Sequence, residues 1–107
     1  MSSMTERLEA LLATGKETAL LRYTLGKAAF DSEQPAAALL HLQRATALEP
    51  QYSVAWKLLG RVHLALDDSD AARQAWTQGL ACAQTNGDAQ VVKELSVFLK
   101  RLDKPAR

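Results

Sequence analysis

Part of this sequence repeats after thirty-four residues, and both copies have the same order of small and large apolar residues. A large apolar residue stands before a glycine in one segment, and an alanine pair followed by a large apolar residue stands in the next. The matching positions are Leu25-Gly26 with Leu59-Gly60, Ala37-Ala38 with Ala71-Ala72, Leu42 with Trp76, and Ala47 with Ala81. A fixed period of this length is typical of proteins built from repeated helix pairs.

The second copy resembles the tetratricopeptide repeat, a helix-turn-helix unit with Trp-x-x-Leu-Gly early, alanine and then phenylalanine in its second helix, and proline near its end. Trp56-Lys57-Leu58-Leu59-Gly60 matches the early part, and Ala72 and Trp76 match the second helix. The first copy ends on Ala47-Leu48-Glu49-Pro50, as such repeats do. The resemblance covers nearly the whole chain. It implies an all-α fold of antiparallel helix-turn-helix repeats, an α-solenoid of about six helices, which acts as a protein-interaction scaffold.

The small residues predict where the paired helices come close. We expect Gly60 to face Ala72 and Gly26 to face Ala38, because neither partner carries a large side chain. Gly79 stands where the family usually has alanine. Because it lies in a helix interior, we expect it to lower the stability of the helix by about 1 kcal/mol relative to alanine.

Apolar periodicity and local stop signals predict a single domain over residues 1–107. Residues 1–15 form an N-terminal capping helix, 17–50 a first repeat, 51–84 a second repeat, and 88–103 a C-terminal capping helix. Ser3 and Glu6 have the spacing of a capping box, and Pro35 suits the first turn of a helix. Gln84 replaces the proline that usually ends a repeat, so the boundary there is less sharply set.

The last helix fits the repeat only with two extra loop residues. Strict continuation of the period would bury Lys93 and Glu94, which the apolar stripe of this helix forbids. With two residues added, the positions that face the core are Val92, Leu95, Ser96 and Leu99.

Composition narrows the function classes. The chain has 107 residues, one cysteine and a net charge of +1, which provides no general attraction to nucleic acid or to anionic lipid. No apolar run approaches the roughly 20 residues needed to cross a bilayer. Glu6, Arg7 and Glu9 would interrupt a signal peptide, and a single cysteine suits a reducing compartment. We therefore expect a soluble cytoplasmic protein.

No catalytic or metal-binding constellation is visible in the sequence. His41 and His63 fall on different predicted helices, and a zinc site would need two further ligands. The sequence places no histidine where it could act as a base for Cys82, so we interpret Cys82 as a small core residue. We expect neither a cofactor nor an enzymatic activity.

The resemblance also implies a binding surface, because the first helices of tetratricopeptide repeats line a concave groove. The groove positions recur at i, i+4 and i+7, and here they are Tyr23, Lys27, Phe30, Lys57, Arg61, Leu64, Lys93, Val97 and Lys100. This set has five cations, four apolar or aromatic groups and no carboxylate. It predicts a peptide-binding adaptor for a segment that is both acidic and apolar, or that ends in a free carboxylate.

Three other interpretations of these positions remain open. The cations could be the solvated sides of amphipathic helices. Tyr23, Phe30 or Val97 could meet another copy of the chain in a structural, self-associating module. The cationic row could contact nucleic acid, although the net charge and the lack of a dense Arg/Lys cluster disfavour this.

Overall fold

The computed structural model describes residues 3–104, which form six α-helices and no β-strand. The helices are α1 (Met4–Ala13), α2 (Ala19–Asp31), α3 (Pro35–Leu48), α4 (Ser53–Ala65), α5 (Ser69–Asn86) and α6 (Ala89–Asp103). Each helix packs against the next one along the chain, and the molecule measures 47 × 32 × 19 Å. The predicted all-α helical repeat fold is confirmed.

The helix boundaries follow the sequence period. The first residues of α4 and α5, Ser53 and Ser69, lie thirty-four residues after those of α2 and α3. In this register α1 corresponds to α3 and α5, the second helices of the two pairs. Helix α6 begins thirty-six residues after α4 and corresponds to α2 and α4, the first helices.

The two extra residues before α6 come from a longer α5. With Gln84 in place of proline, nothing stops the helix there, and it continues to Asn86. Gly87 then ends it with a left-handed backbone (φ 73°), a conformation that costs glycine least. This extension gives α6 the two-residue shift that its apolar stripe predicted. Of the four positions expected to face the core, however, only Leu95 is buried, and Val91 is buried with it. The other three, Val92, Ser96 and Leu99, are half-buried, because they lie towards the side of α6 that faces away from α5.

Side-chain caps set the starts of α1, α2 and α5. Ser3 and Glu6 form the predicted capping box, with N···O distances of 3.1 and 3.2 Å. Thr18 accepts a hydrogen bond from the Leu21 N–H, so α2 begins at Ala19, two residues later than the sequence indicated. The carboxylate of Asp68 caps α5 in the same way through the Ala71 N–H.

The close approach of paired helices is confirmed, but the residue that makes the contact was predicted wrongly. A Cβ atom at Gly60 would overlap the indole of Trp76, and one at Gly26 would lie 2.7 Å from Leu42 Cγ. Ala72 is buried one helical turn before Trp76 and is not the closest neighbour of Gly60. The glycine therefore seats a large side chain on the backbone of the facing helix.

Gly79 makes a close contact of its own. A Cβ atom there would lie 2.8 Å from Trp56 Cβ and 3.1 Å from Leu95 Cδ1. The position lies where α5 passes both α4 and α6, so alanine has no room. The expectation of a simple helix-propensity cost at this position was wrong.

Candidate functional site

Helices α2, α4 and α6 carry the nine predicted groove residues, three on each helix. All nine side chains remain at least partly accessible to solvent. Tyr23, Phe30 and Lys57 are half-buried, and the exposed ones are Lys27, Arg61, Leu64, Lys93, Val97 and Lys100.

The C-terminal ends of these three helices enclose a cleft of about 460 Å³. We call it the apolar cleft, and its lining residues are Phe30, Arg61, Leu64, Ala65, Trp76, Phe98, Arg101 and Leu102. Three of the predicted groove residues, Phe30, Arg61 and Leu64, therefore contribute to one site. The volume suits one or two amino-acid side chains and falls within the range of ligand pockets.

The indole of Trp76 is fixed in position beside this cleft. Because Gly60 has no side chain, the indole lies against α4 and its Nε1–H donates to the Lys57 carbonyl oxygen at 2.9 Å. The Phe98 ring packs against it with centroids 5.2 Å apart and an interplanar angle of 48°. The aromatic part of the lining is thus held rigidly before any ligand arrives.

Two arginines bring positive charge to the apolar cleft. The Arg61 guanidinium lies over the Phe30 ring, with Cζ 5.3 Å from the ring centroid. Such stacking orients the guanidinium and leaves its N–H donors available. Arg101 lies on α6, and neither arginine forms a salt bridge with another residue of the 3–104 segment.

The groove is not free of carboxylates, contrary to the sequence analysis. The Lys57 Nζ atom lies 3.0 Å from Glu94 Oε1, and this ion pair links α4 to α6. Lys27 pairs with Asp31 at 3.0 Å one helical turn away. The sequence does not predict this ion pair. A helical wheel of α6 places Glu94 at the edge of the apolar stripe, and its contacts there depend on which residues the neighbouring helix provides.

The remaining predicted residues lie outside the apolar cleft. Tyr23 packs against Tyr52, with ring centroids 5.2 Å apart. Burial, followed by the neighbouring Tyr23, raises the pKa of the Tyr52 hydroxyl. Lys93, Val97 and Lys100 are exposed on α6 but do not line the cleft.

Five lining residues were not expected from the sequence: Ala65, Trp76, Phe98, Arg101 and Leu102. Trp76 and Phe98 belong to apolar stripes, and a stripe alone predicts burial in the core. Arg101 follows Phe98 by three residues and therefore lies on a neighbouring part of the helix surface. That spacing of an aromatic residue and a cation was the signal available in the sequence.

The thiol of Cys82 and the possible metal ligands are candidate reactive groups. Burial raises the pKa of the Cys82 thiol, whose Sγ lies 3.1 Å from the Pro50 carbonyl oxygen, and a raised pKa disfavours a nucleophilic thiolate. Among the described residues, no group of three or more His, Cys, Asp or Glu side chains could hold a metal ion. None of the helices between residues 3 and 104 combines the length and apolar character needed to cross a membrane.

The sequence pattern of the tetratricopeptide repeat matches residues 29–93, which is more than half of the chain. The chain belongs to the tetratricopeptide repeat family. The matched region begins within α2 and ends within α6, so it includes the part of the apolar cleft formed by α2, α4 and α5. The α6 residues of the lining, Phe98, Arg101 and Leu102, lie beyond it. Tetratricopeptide repeats are generally non-enzymatic modules for protein–protein interaction.

A curated relative supports the same assignment. The TPR repeat-containing protein PA0015 of Pseudomonas aeruginosa is 50% identical over 101 residues, covering 94% of this chain and 96% of the relative. This tetratricopeptide repeat chain and its relative therefore match over almost their full lengths.

Solved structures agree with the helical repeat. The solution structure of protein BPP2914 from Bordetella parapertussis has a TM-score of 0.81 and 57% identity, covering 95% of this chain and 89% of the other. A tetratricopeptide repeat domain protein from Salinibacter ruber has a TM-score of 0.75 at 23% identity, covering 81% and 88%. The second likeness concerns the fold alone.

Proposed function

We propose that this protein is a non-enzymatic adaptor that binds a peptide segment of a partner protein. The segment carries an apolar side chain next to carboxylate groups, either side-chain carboxylates or a C-terminal one. The observation that supports this proposal is the apolar cleft, in which aromatic and aliphatic walls stand beside Arg61 and Arg101. The repeats at 17–50 and 51–84, between capping helices at 1–15 and 88–103, act as the scaffold of this site.

The apolar part of the cleft favours an aliphatic or aromatic anchor. Anchors of this kind dominate the energetics of protein interfaces because they exclude water from a preformed pocket. Trp76 and Phe98 need little reorganisation, since the Trp76 indole is already hydrogen-bonded to α4. Preorganised walls reduce the entropic cost of binding.

The charges around the cleft favour an acidic ligand. Lys27 and Lys57 already have carboxylate partners, so the cations available to a ligand are chiefly Arg61 and Arg101. Their planar guanidinium groups can each donate two hydrogen bonds to a carboxylate. Exposed Lys93 and Lys100 on α6 extend the positive potential beyond the cleft and would steer an acidic segment towards it.

Fluorescence anisotropy with three labelled synthetic hexapeptides tests this proposal. The first has acidic residues followed by a C-terminal phenylalanine with a free carboxylate, the second has an amidated C-terminus, and the third ends in alanine. The phenylalanine peptides should bind better than the alanine peptide, and the affinity should fall with salt because exposed charges are screened. Equal binding of the amidated peptide would assign the contact to side-chain carboxylates.

Matched variants locate the binding. Arg61→Glu combined with Arg101→Glu should weaken binding of the free-carboxylate peptide by about tenfold or more, because each substitution replaces a charged donor with a repelling carboxylate. Lys16→Glu, an exposed change of the same type between α1 and α2, serves as the control and should leave the affinity unchanged. If the arginine variant is folded and binds as the parent does, the cleft is not the binding site.

We also propose that the protein is located in the cytoplasm. The single cysteine is buried in its thiol form, hydrogen-bonded to a backbone carbonyl, and needs no oxidising compartment. Tagged protein in cell fractions should accordingly appear with cytoplasmic markers.

A further inference from the structure

The six helices include two that lack one of their usual neighbours among residues 3–104. In the two complete pairs, α2 with α3 and α4 with α5, the second helix seats a large side chain on a glycine of the first: Leu42 over Gly26 and Trp76 over Gly60. Helix α6 has the register of a first helix, and no described helix follows it. Helix α1 has the register of a second helix, and no described helix precedes it.

The outer face of α1 is formed by Met4, Leu8 and Leu11, and no helix among the described residues covers it. These residues occupy the positions of Ala38, Leu42 and Ala45 in α3, which are all fully buried. In α1, by contrast, Met4 is 61% exposed and Leu11 is 43% exposed. No residue of α1 is buried at all.

The outer face of α6, formed by Val92, Ser96 and Leu99, has the complementary shape. With the shift of thirty-six residues, Ser96 takes the position of Gly60, the residue that receives Trp76. Ser96 is small, and its Oγ donates to the Val92 carbonyl oxygen of its own helix at 2.7 Å. Val92 and Leu99 stand one turn away on either side, and both are half-buried because they pack in part against the core around Trp76 and Leu95.

We propose that the outer face of α6 binds the outer face of α1 of a second copy of this chain. Leu8 of the second copy would lie over Ser96, as Leu42 lies over Gly26 within one chain. The two faces are different surfaces, so the contact is heterologous and each copy keeps one face free. The result is head-to-tail association that continues the alternation of first and second helices from one molecule to the next.

The association should be weak. Ser96 has a Cβ atom, so Leu8 must lie farther out than Leu42 does over Gly26. Two helices of 10 and 15 residues also bury less than the roughly 800 Å² per partner of a standard interface. We expect the average mass to rise with concentration around and above about 100 μM.

Sedimentation velocity over a concentration series tests the proposal. The parent should shift continuously from monomer to larger species. Leu11→Glu on α1 and Ser96→Glu on α6 should each remain monomeric, because each lacks one of the two faces. Leu40→Glu serves as the matched control, because Leu40 is 68% exposed on α3 and belongs to neither face, and it should associate as the parent does.

Mixing the two variants separates this proposal from two-fold dimerisation. Leu11→Glu retains the outer face of α6 and Ser96→Glu retains the outer face of α1, so an equimolar mixture should form dimers and nothing larger. Thermal melts monitored by circular dichroism confirm that both variants are folded. A parent that stays monomeric throughout, a Leu11→Glu variant that associates like the parent, or a mixture that stays monomeric would each overturn the proposal.

Discussion

Replacing Gly60 with alanine should destabilise the protein, although alanine is the better helix former. In a helix interior the substitution alone would stabilise by about 1 kcal/mol. Here the new methyl group would overlap the indole of Trp76, a rigid ring held by its hydrogen bond to the Lys57 carbonyl and by Phe98. Forced overpacking costs about 1–3 kcal/mol, and the broken hydrogen bond costs about 0.5–1.5 kcal/mol more.

The net expectation is therefore a loss of about 1–3 kcal/mol in the free energy of unfolding. For a domain of this size the midpoint temperature should fall by roughly 4–12 °C. Urea unfolding followed by circular dichroism measures the free energy directly. Thr77→Ala, at an exposed position next to Trp76, is the control for an alanine substitution without a clash.

A double-mutant cycle identifies the cause of the loss. In a Trp76→Leu background the ring is absent, and Gly60→Ala should cost at least about 1 kcal/mol less than in the parent. If Gly60→Ala instead stabilises the parent by the full propensity gain, Trp76 does not lie against α4 as described. An equal loss of stability in both backgrounds would mean that the Trp76 ring is not the cause of the loss.

Three further predictions concern single contacts. Gly79→Ala should lower the free energy of unfolding by about 1–2 kcal/mol, because its Cβ would lie 2.8 Å from Trp56 Cβ; an unchanged urea midpoint would argue against this contact. Lys57→Glu should destabilise through repulsion with Glu94, and adding Glu94→Lys should restore about 0.2–1 kcal/mol at low salt, so strictly additive effects would rule out the ion pair. Hydrogen bonds from Arg44 and Arg22 lower the pKa of Glu17 from 4.5 to about 2. Its stabilising contribution should therefore be complete above pH 4.5 and lost as the pH falls towards 2, and Glu17→Gln should remove that part of the pH dependence in acid unfolding curves.

The repeat period was enough to predict the helices, because the starts of α1 and α3 coincide with local signals in the sequence. Pro35 begins α3 at the expected residue, and the Ser3–Glu6 capping box forms as expected. The shift before α6 followed from the apolar stripe alone, since burying Lys93 would have been costly. Such signals depend on neighbours in the sequence and can be read without a structure.

The contacts between helices were harder to predict. Gly60 was expected to face Ala72 because both residues are small, whereas the glycine accommodates the largest side chain of α5. The apolar cleft depends on how the ends of α2, α4 and α6 converge, which the period does not specify. Phe98 illustrates this difficulty. Its ring both packs against Trp76 and lines the cleft, whereas an apolar stripe predicts only burial in the core.

The most direct test of the proposed site is an NMR titration of the ¹⁵N-labelled protein with the free-carboxylate phenylalanine hexapeptide. A ligand in the apolar cleft should shift the indole Nε1–H signal of Trp76 and the backbone amides around Leu64 and Arg101. Amides of α3 around Leu40 should not move. Saturable shifts confined to the cleft would support the adaptor function. Shifts concentrated on α3, or no shifts at millimolar peptide, would contradict it.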